Sequence, residues 1–501
     1  MMFRRLTMPS FAVASVAGGM LTASCSTAGS VTAAPTAVDF IELTAPVIEY
    51  RIGSGDARTW SLQENFNGRG DGPFSIGYVP RDNGFAVLAV DTGDAGRVPV
   101  CFTYDRVERC YDVSADRHPA VEFRHEDASY PIVIRPRTPD AVFPPAYIAE
   151  RRGTITVEAP AFNEMLNVAL ALTPSAQAVP GVVTSDTAYF DSLEAHFSGH
   201  GNHGLVERLD AALRDDVLNY YILKTNGLTY QFDSRGRIVP SDIYRRGGFP
   251  GSEINDLSSF LSDLQDFADQ TEFLEFYASN AGTYQGQIDY FSDRVDLTEM
   301  KAWLETNFPT AEPYDAIRVI VSPLMGSVQY VLRYETETFR ELQPHVNFPY
   351  GGGDNLSAEA RPLARGALLF TEINHGYIAP PSELSDSIEA VFSPGFWVAS
   401  DSDSAQTYAT ASDLFAEYVN WSLLSLYAFD RLAPDDRDAF IAGVVRTMED
   451  RRDFTHFGRF NARFLELYAQ RRAGETAVEM YPALIAWAAE HRAAKQNESL
   501  L

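Results

Sequence analysis

The hydrophobic period of this chain changes at PDAVFPP, residues 139–145. Before it, from about Val38 to Arg137, apolar and polar residues alternate in short runs such as FIELTAPVIEYRI, FAVLAV, VPVCFTY and YPIVIRP, separated by Gly, Asp, Asn and Pro. A period of two puts alternate side chains on one face, so these runs predict strands and, together, an all-β, sandwich-like domain over 38–137. After it the period is helical: in AFNEMLNVALAL, Phe162, Met165, Leu166, Ala169 and Leu172 share a face. Further helices are predicted at about 186–197, 204–224, 255–280, 281–307, 407–430, 435–450, 454–471 and 475–491. AIRVIVSP (316–323) and VQYVLRY (328–334) read as two strands joined at Met325, Gly326 and Ser327. The chain is therefore expected to be multidomain: an N-terminal signal or processed segment over 1–34, the β-rich domain over 38–137, a linker over 138–150 and a mainly helical α+β domain over 151–495. With 501 residues, 45% of them hydrophobic, each part has the material for a core. A net charge of −28, with no basic block beyond the first few residues, argues against a nucleic-acid partner.

Within the helical region, Leu363 to Pro381 (LARGALLFTEINHGYIAPP) reads as an apolar helix closed by Gly376 and two prolines. Its centre, T-E-I-N-H, is one residue from the zinc-hydrolase pattern H-E-x-x-H. There, two histidines four apart bind Zn²⁺ from one helical face and the glutamate acts as general base. Glu372 stands at the base position, His375 at the second ligand and Thr371 where the first histidine belongs. A neutral hydroxyl is a poor Zn²⁺ ligand beside imidazole, and deprotonating it is far more costly. In the gluzincin plan the third ligand is a glutamate from a later helix. Glu417, in DLFAEYVNW, suits it, because a carboxylate on so apolar a helix requires a metal, a cation or a proton.

A substitute for the missing ligand would come from the other histidines. His196, His200 and His203 crowd into AHFSGHGNH, though the glycines make this a loop and His203 suits a helix cap. His345 in PHVNFPYGGG and His456 in FTHFGRF are further candidate donors. Tyr377 and Tyr418 adjoin the ligand positions and could stabilise an oxyanion. The run Tyr350 to Gly353 either leaves room for a peptide backbone or simply turns. A second E-x-x-H, Glu122 and His125 in VEFRHED, lies in a predicted strand that would put the two on opposite faces.

The segments TVEAPAFNEMLNVALAL, VIVSPLMGS, LLFTEINHGYIAP, LFAEYVNWS and RDFTHFGRFNARFLELY, in that order, resemble an uncharacterised bacterial family of exported, gluzincin-like metallopeptidases. The resemblance covers about 153–490. It implies a gluzincin-like metallopeptidase domain with Glu372 as base, His375 and Glu417 as ligands and zinc as the ancestral cofactor. Thr371 departs from the family pattern, and Asn420 and Trp421 stand near where an arginine is expected after the ligand glutamate. Two ligands hold zinc loosely or not at all. Three readings are open: a degenerate metallopeptidase fold that binds peptides or envelope partners, a working hydrolase with a substitute ligand, or a structural envelope lipoprotein. In the last, Glu372 and His375 are an ordinary helix-surface pair.

The first residues have the form of an export signal, with Arg4 and Arg5 ahead of the apolar run Phe11 to Leu21, too short to span a bilayer. Leu21 to Cys25 (LTASC) resembles a lipobox, which would lipidate Cys25 and anchor the protein to a membrane. Cleavage after Ala28 or Ala33 is the alternative. A periplasmic or envelope location is expected either way. There Cys101 and Cys110, facing each other across a predicted hairpin, are placed to form a disulfide; two reduced, packed cysteines are the other possibility.

Overall fold

The computed structural model describes residues 38–498, except 67–80, 83–84, 93–94, 217, 248–254, 351–352 and 409. The expected signal, Cys25 and the alternative cleavage points lie outside the described residues, as do Gly351 and Gly352. The chain divides into two compact units, one holding residues 38–144 and 221–266, the other residues 145–220 and 267–498.

The first unit is β-rich, as its alternating runs predict. Its strands are β1 (Val38–Glu42), β2 (Val47–Ile52), β3 (Arg58–Ser61), β4 (Arg81–Asp82), β5 (Phe85–Val90), β6 (Arg97–Tyr104), β7 (Val107–Ser114), β8 (Ala120–His125) and β9 (Ala128–Pro136). They form a five-stranded sheet ordered β1-β8-β9-β5-β4 and a four-stranded sheet ordered β3-β2-β6-β7. Inward residues of both sheets, among them Ile48, Trp60, Phe102, Phe123 and Ile132, make one hydrophobic cluster. Asp39 on β1 stitches the sheets at one side, accepting hydrogen bonds from Arg109 (2.7 Å) and Tyr111 (2.5 Å) on β7. Two pairings are parallel, β1 with β8 and β5 with β9, which local alternation does not reveal. Cys101 and Cys110 are directly opposed on β6 and β7 and are disulfide-bonded.

Residues 221–266, whose sequence reads as part of the helical region, belong to this unit. They contain a hairpin of Tyr230–Phe232 and Ile238–Pro240. Arg246 pairs with Asp140 and donates to the Thr138 carbonyl (2.9 Å), while Val142 N–H donates to the Ile243 carbonyl (2.8 Å). These bonds fix residues 138–142, expected to be a linker.

The second unit is built on β10 (Ile155–Glu158), β11 (Ala316–Ser322), β12 (Tyr330–Glu335) and β13 (Arg340–Asn347), in the order β10-β11-β13-β12. The two strands read from 316–323 and 328–334 are present as β11 and β12 but are not neighbours: β13 lies between them, parallel to β11 and antiparallel to β12. Pro344 hides β13 from a sequence reading, because proline cannot donate to a ladder. The β11 ladder lapses opposite Gln343 and Pro344, resuming at Ile320 and His345. Several long predicted helices are broken by local chemistry. The 255–280 stretch divides at Glu272, whose φ of 52° is left-handed, and 281–307 divides where Asp296 caps a new helix through Glu299 N–H. Two helices carry the site, α1 (Arg361–Asn374) and α2 (Ala411–Arg431), and α3 (Pro434–Arg446) precedes the segment that holds Arg452.

Candidate functional site

Helix α1 starts with Pro362 in its first turn and buries Leu363, Gly366, Leu369, Phe370 and Ile373. Gly366 lets it approach its neighbour, since a Cβ there would lie 2.9 Å from a Val295 methyl. The helix ends at Asn374, so His375 is its C-cap. Gly376 comes next, at a point where a Cβ would meet the Tyr314 ring at 2.7 Å. Helix α2 is capped by Thr410, which accepts from Asp413 N–H, and is buried along most of its length.

These helices bring His375 and Glu417 together, with Nε2 3.8 Å from Oε2. Two asparagines tie them: Asn374 donates to the Asn420 carbonyl (3.2 Å), and the Asn420 amide donates to His375 Nε2 (3.0 Å). Glu417 is 3% exposed, and its Oε1 accepts from Trp421 Nε1 (2.8 Å) and from Arg452 Nη1 (2.5 Å). The second Nη of Arg452 donates to the Tyr408 hydroxyl (2.6 Å). At the end of α1, Arg333 on β12 donates to the His375 carbonyl (2.5 Å).

The charges follow from this geometry. Burial opposes ionisation of Glu417, but the Arg452 guanidinium, His375 and the Asn420 amide together outweigh it and hold the carboxyl below its usual range. His375 is held neutral, chiefly by burial, with Arg333 and Arg452 opposing the attraction of Glu417. For Glu372, burial and then repulsion from Glu417 outweigh the attraction of Arg452 and Arg333 and push the carboxyl up to about 8.

The donors do not fit a zinc ion. Thr371 is 2% exposed and its hydroxyl donates to the Leu368 carbonyl (2.8 Å) within its own helix. The Nε2 lone pair of His375 receives an N–H, and Glu417 already has a cation. Among the described residues, the one trio of His, Cys, Asp or Glu donor atoms within 4.8 Å of each other is Cys101, Glu108 and Cys110. The two sulfurs of that trio are bonded to each other.

The other candidate histidines have partners elsewhere. His196 Nε2 meets the Thr271 carbonyl (2.7 Å), and His203 caps a helix by accepting from Leu205 N–H (3.1 Å). His200 lies in the turn between them, its N–H donating to the Phe197 carbonyl. His345 is buried on β13, stacked on Tyr330 and 3.1 Å from Gln343 Oε1. His456 packs on Phe396. Tyr418 donates to the Trp397 carbonyl (2.5 Å), and Tyr377 is buried against Tyr314. In the first unit, Glu122 accepts from Arg124 and Ser129, while His125 meets the Leu43 carbonyl.

Sequence reasoning misses Arg452, Tyr408 and Arg333. An arginine does reach Glu417, but from 35 positions downstream rather than from the next turn, and no motif spacing marks it. Asn420 carries a faint signal, a polar residue within the apolar run VNWSLL. Comparison with protein-family models, with curated proteins and with solved structures finds no match. Among the described residues, no helix is long and apolar enough to cross a membrane.

Proposed function

We propose that this is an exported protein whose second unit descends from a gluzincin-like metallopeptidase, has lost its zinc centre and binds extended peptide segments of envelope partners. The observation that carries the reading is the convergence of His375 and Glu417 from two helices, 3.8 Å apart, in a centre where Arg452 meets the Glu417 carboxylate. A surface pair without ancestry gives no reason for a buried glutamate on a second helix to meet the motif histidine.

Strand β12 supports the binding role. It is an antiparallel edge strand, it touches the motif through Arg333, and among the described residues no strand pairs with its outer side. In metallopeptidases such an edge receives the extended substrate as an added strand. The disulfide and the signal-like N-terminus suit an oxidising compartment outside the cytosol.

The test is hydrogen exchange on the mature protein with unstructured peptides, beside a peptidase assay with and without zinc. Slowed exchange of amides in 330–335 on peptide binding, with no cleavage, is expected. Absence of protection at β12 would sink the binding role, and cleavage abolished by His375→Ala would establish the hydrolase alternative.

A further inference from the structure

We infer that Arg452 is a built-in replacement for the metal: its guanidinium supplies Glu417 with the positive charge a zinc ion would, and thereby excludes a divalent cation from the centre. The inference rests on the metallopeptidase ancestry proposed above and adds the device by which the metal was displaced.

Three independent features point to it. The first is the completeness of the contact. One Nη of Arg452 reaches Glu417 Oε1 at 2.5 Å and the other the Tyr408 hydroxyl at 2.6 Å. The guanidinium carbon lies 5.0 to 5.4 Å from the ring centroids of Trp421, Phe454 and Tyr408. A surface arginine that happened to lean on a carboxylate would have no such enclosure.

The second is the backbone that aims it. After α3 the chain widens into a π turn over Thr447–Arg451, directly before Arg452. A π turn inserts a residue and rotates the next part of the chain about the helix axis. Asp453, directly after, adopts φ +59°, a left-handed conformation costly for a residue with a Cβ. The turn it makes brings Phe454 back onto Arg452 and places the Asp453 carbonyl to accept from Ala399 N–H (3.0 Å). Two unusual backbone features thus flank the residue that contacts Glu417 from this segment.

The third is exclusion. A guanidinium 2.5 Å from the carboxylate that a metal would need repels a divalent ion at short range, and because Glu417 is 3% exposed that repulsion is less screened than at a surface. Restoring the missing histidine is therefore insufficient.

The experiment is zinc content after dialysis of the full mature protein in four forms: wild type, Thr371→His, Arg452→Gln, and the Thr371→His/Arg452→Gln pair. The first two are expected to be empty, and the pair to carry about one zinc per chain, lost again when His375→Ala is added. Zinc bound by Thr371→His alone overturns the inference while leaving the ancestry intact. A folded pair that stays empty overturns both. Arg452→Gln strands a buried carboxylate and could unfold, so Arg452→Gln/Glu417→Gln is melted beside it. A higher Tm for this neutral pair than for Arg452→Gln supports a charge role for Arg452. An equal or lower Tm overturns it.

Discussion

Glu372 shows how far single residues in this centre can be read without the fold. Its position in T-E-I-N-H is legible, and so is the need of Glu417 for a counter-charge, because both follow from a carboxylate on an apolar helix. That Arg452 meets one need and leaves the other unmet is not legible, because no spacing rule relates residues 417 and 452. The difference has a measurable consequence. Glu372 is held protonated up to about pH 8, against an ordinary value of 4.5. A folded-state pKa above the unfolded one gives stability that is fully present below about pH 4.5 and is lost as pH rises toward 8. Glu372→Gln removes the penalty. It should therefore be more stable than wild type at pH 8.5 by roughly 2–4 kcal/mol, because the full shift at about 1.4 kcal/mol per pH unit is reduced by the partial exposure of the side chain, and nearly equal at pH 4.5. Urea midpoints at the two pH values check this, and an advantage that does not grow with pH would refute it.

At the scale of elements, helices with a clear period are legible and their partners are not. Helix α1 can be placed from its apolar face and its glycine and proline stop, whereas β13 is hidden by Pro344 and its own buried polar residues, Glu341, Gln343 and His345. Such residues mimic a loop until the sheet is assembled, because their burial depends on β11 and β12 on either side. Gly366 is a second feature that only assembly explains. By propensity alone alanine should improve α1 by up to about 1 kcal/mol. The contact reverses the sign, since the added Cβ would sit 2.9 Å from Cγ1 of Val295, a stiff β-branched side chain. Gly366→Ala is expected to destabilise the helical unit by about 1–3 kcal/mol. Val295→Ala in the same chain should return part of that loss, although Val295→Ala alone destabilises. Additive losses in a denaturation cycle would show that the two side chains do not meet.

Over the whole molecule, the change of period at 139–145 is legible as a change of architecture, because it depends only on which residues alternate. The return of residues 221–266 to the first unit is not, since that stretch looks locally like a connection between helices and its bonds to Thr138, Asp140 and Val142 are remote in sequence. Each unit has its own core, so a local change in one should leave the other's stability nearly untouched. The disulfide offers a clean case. Cys101 and Cys110 are nine positions apart and already opposed in the β6–β7 ladder, which holds them in register without a covalent bond. The crosslink therefore acts mainly on the unfolded chain, by closing a short loop. Cys101→Ser/Cys110→Ser is expected to keep the fold and to lower the stability of the β-rich unit by about 2–3 kcal/mol. Amides of β6, β7 and β9 should exchange faster in the variant while those of α2 keep their rates. Equal acceleration in α2 would mean that the two units unfold as one, and the division of the chain would then be geometric without being energetic.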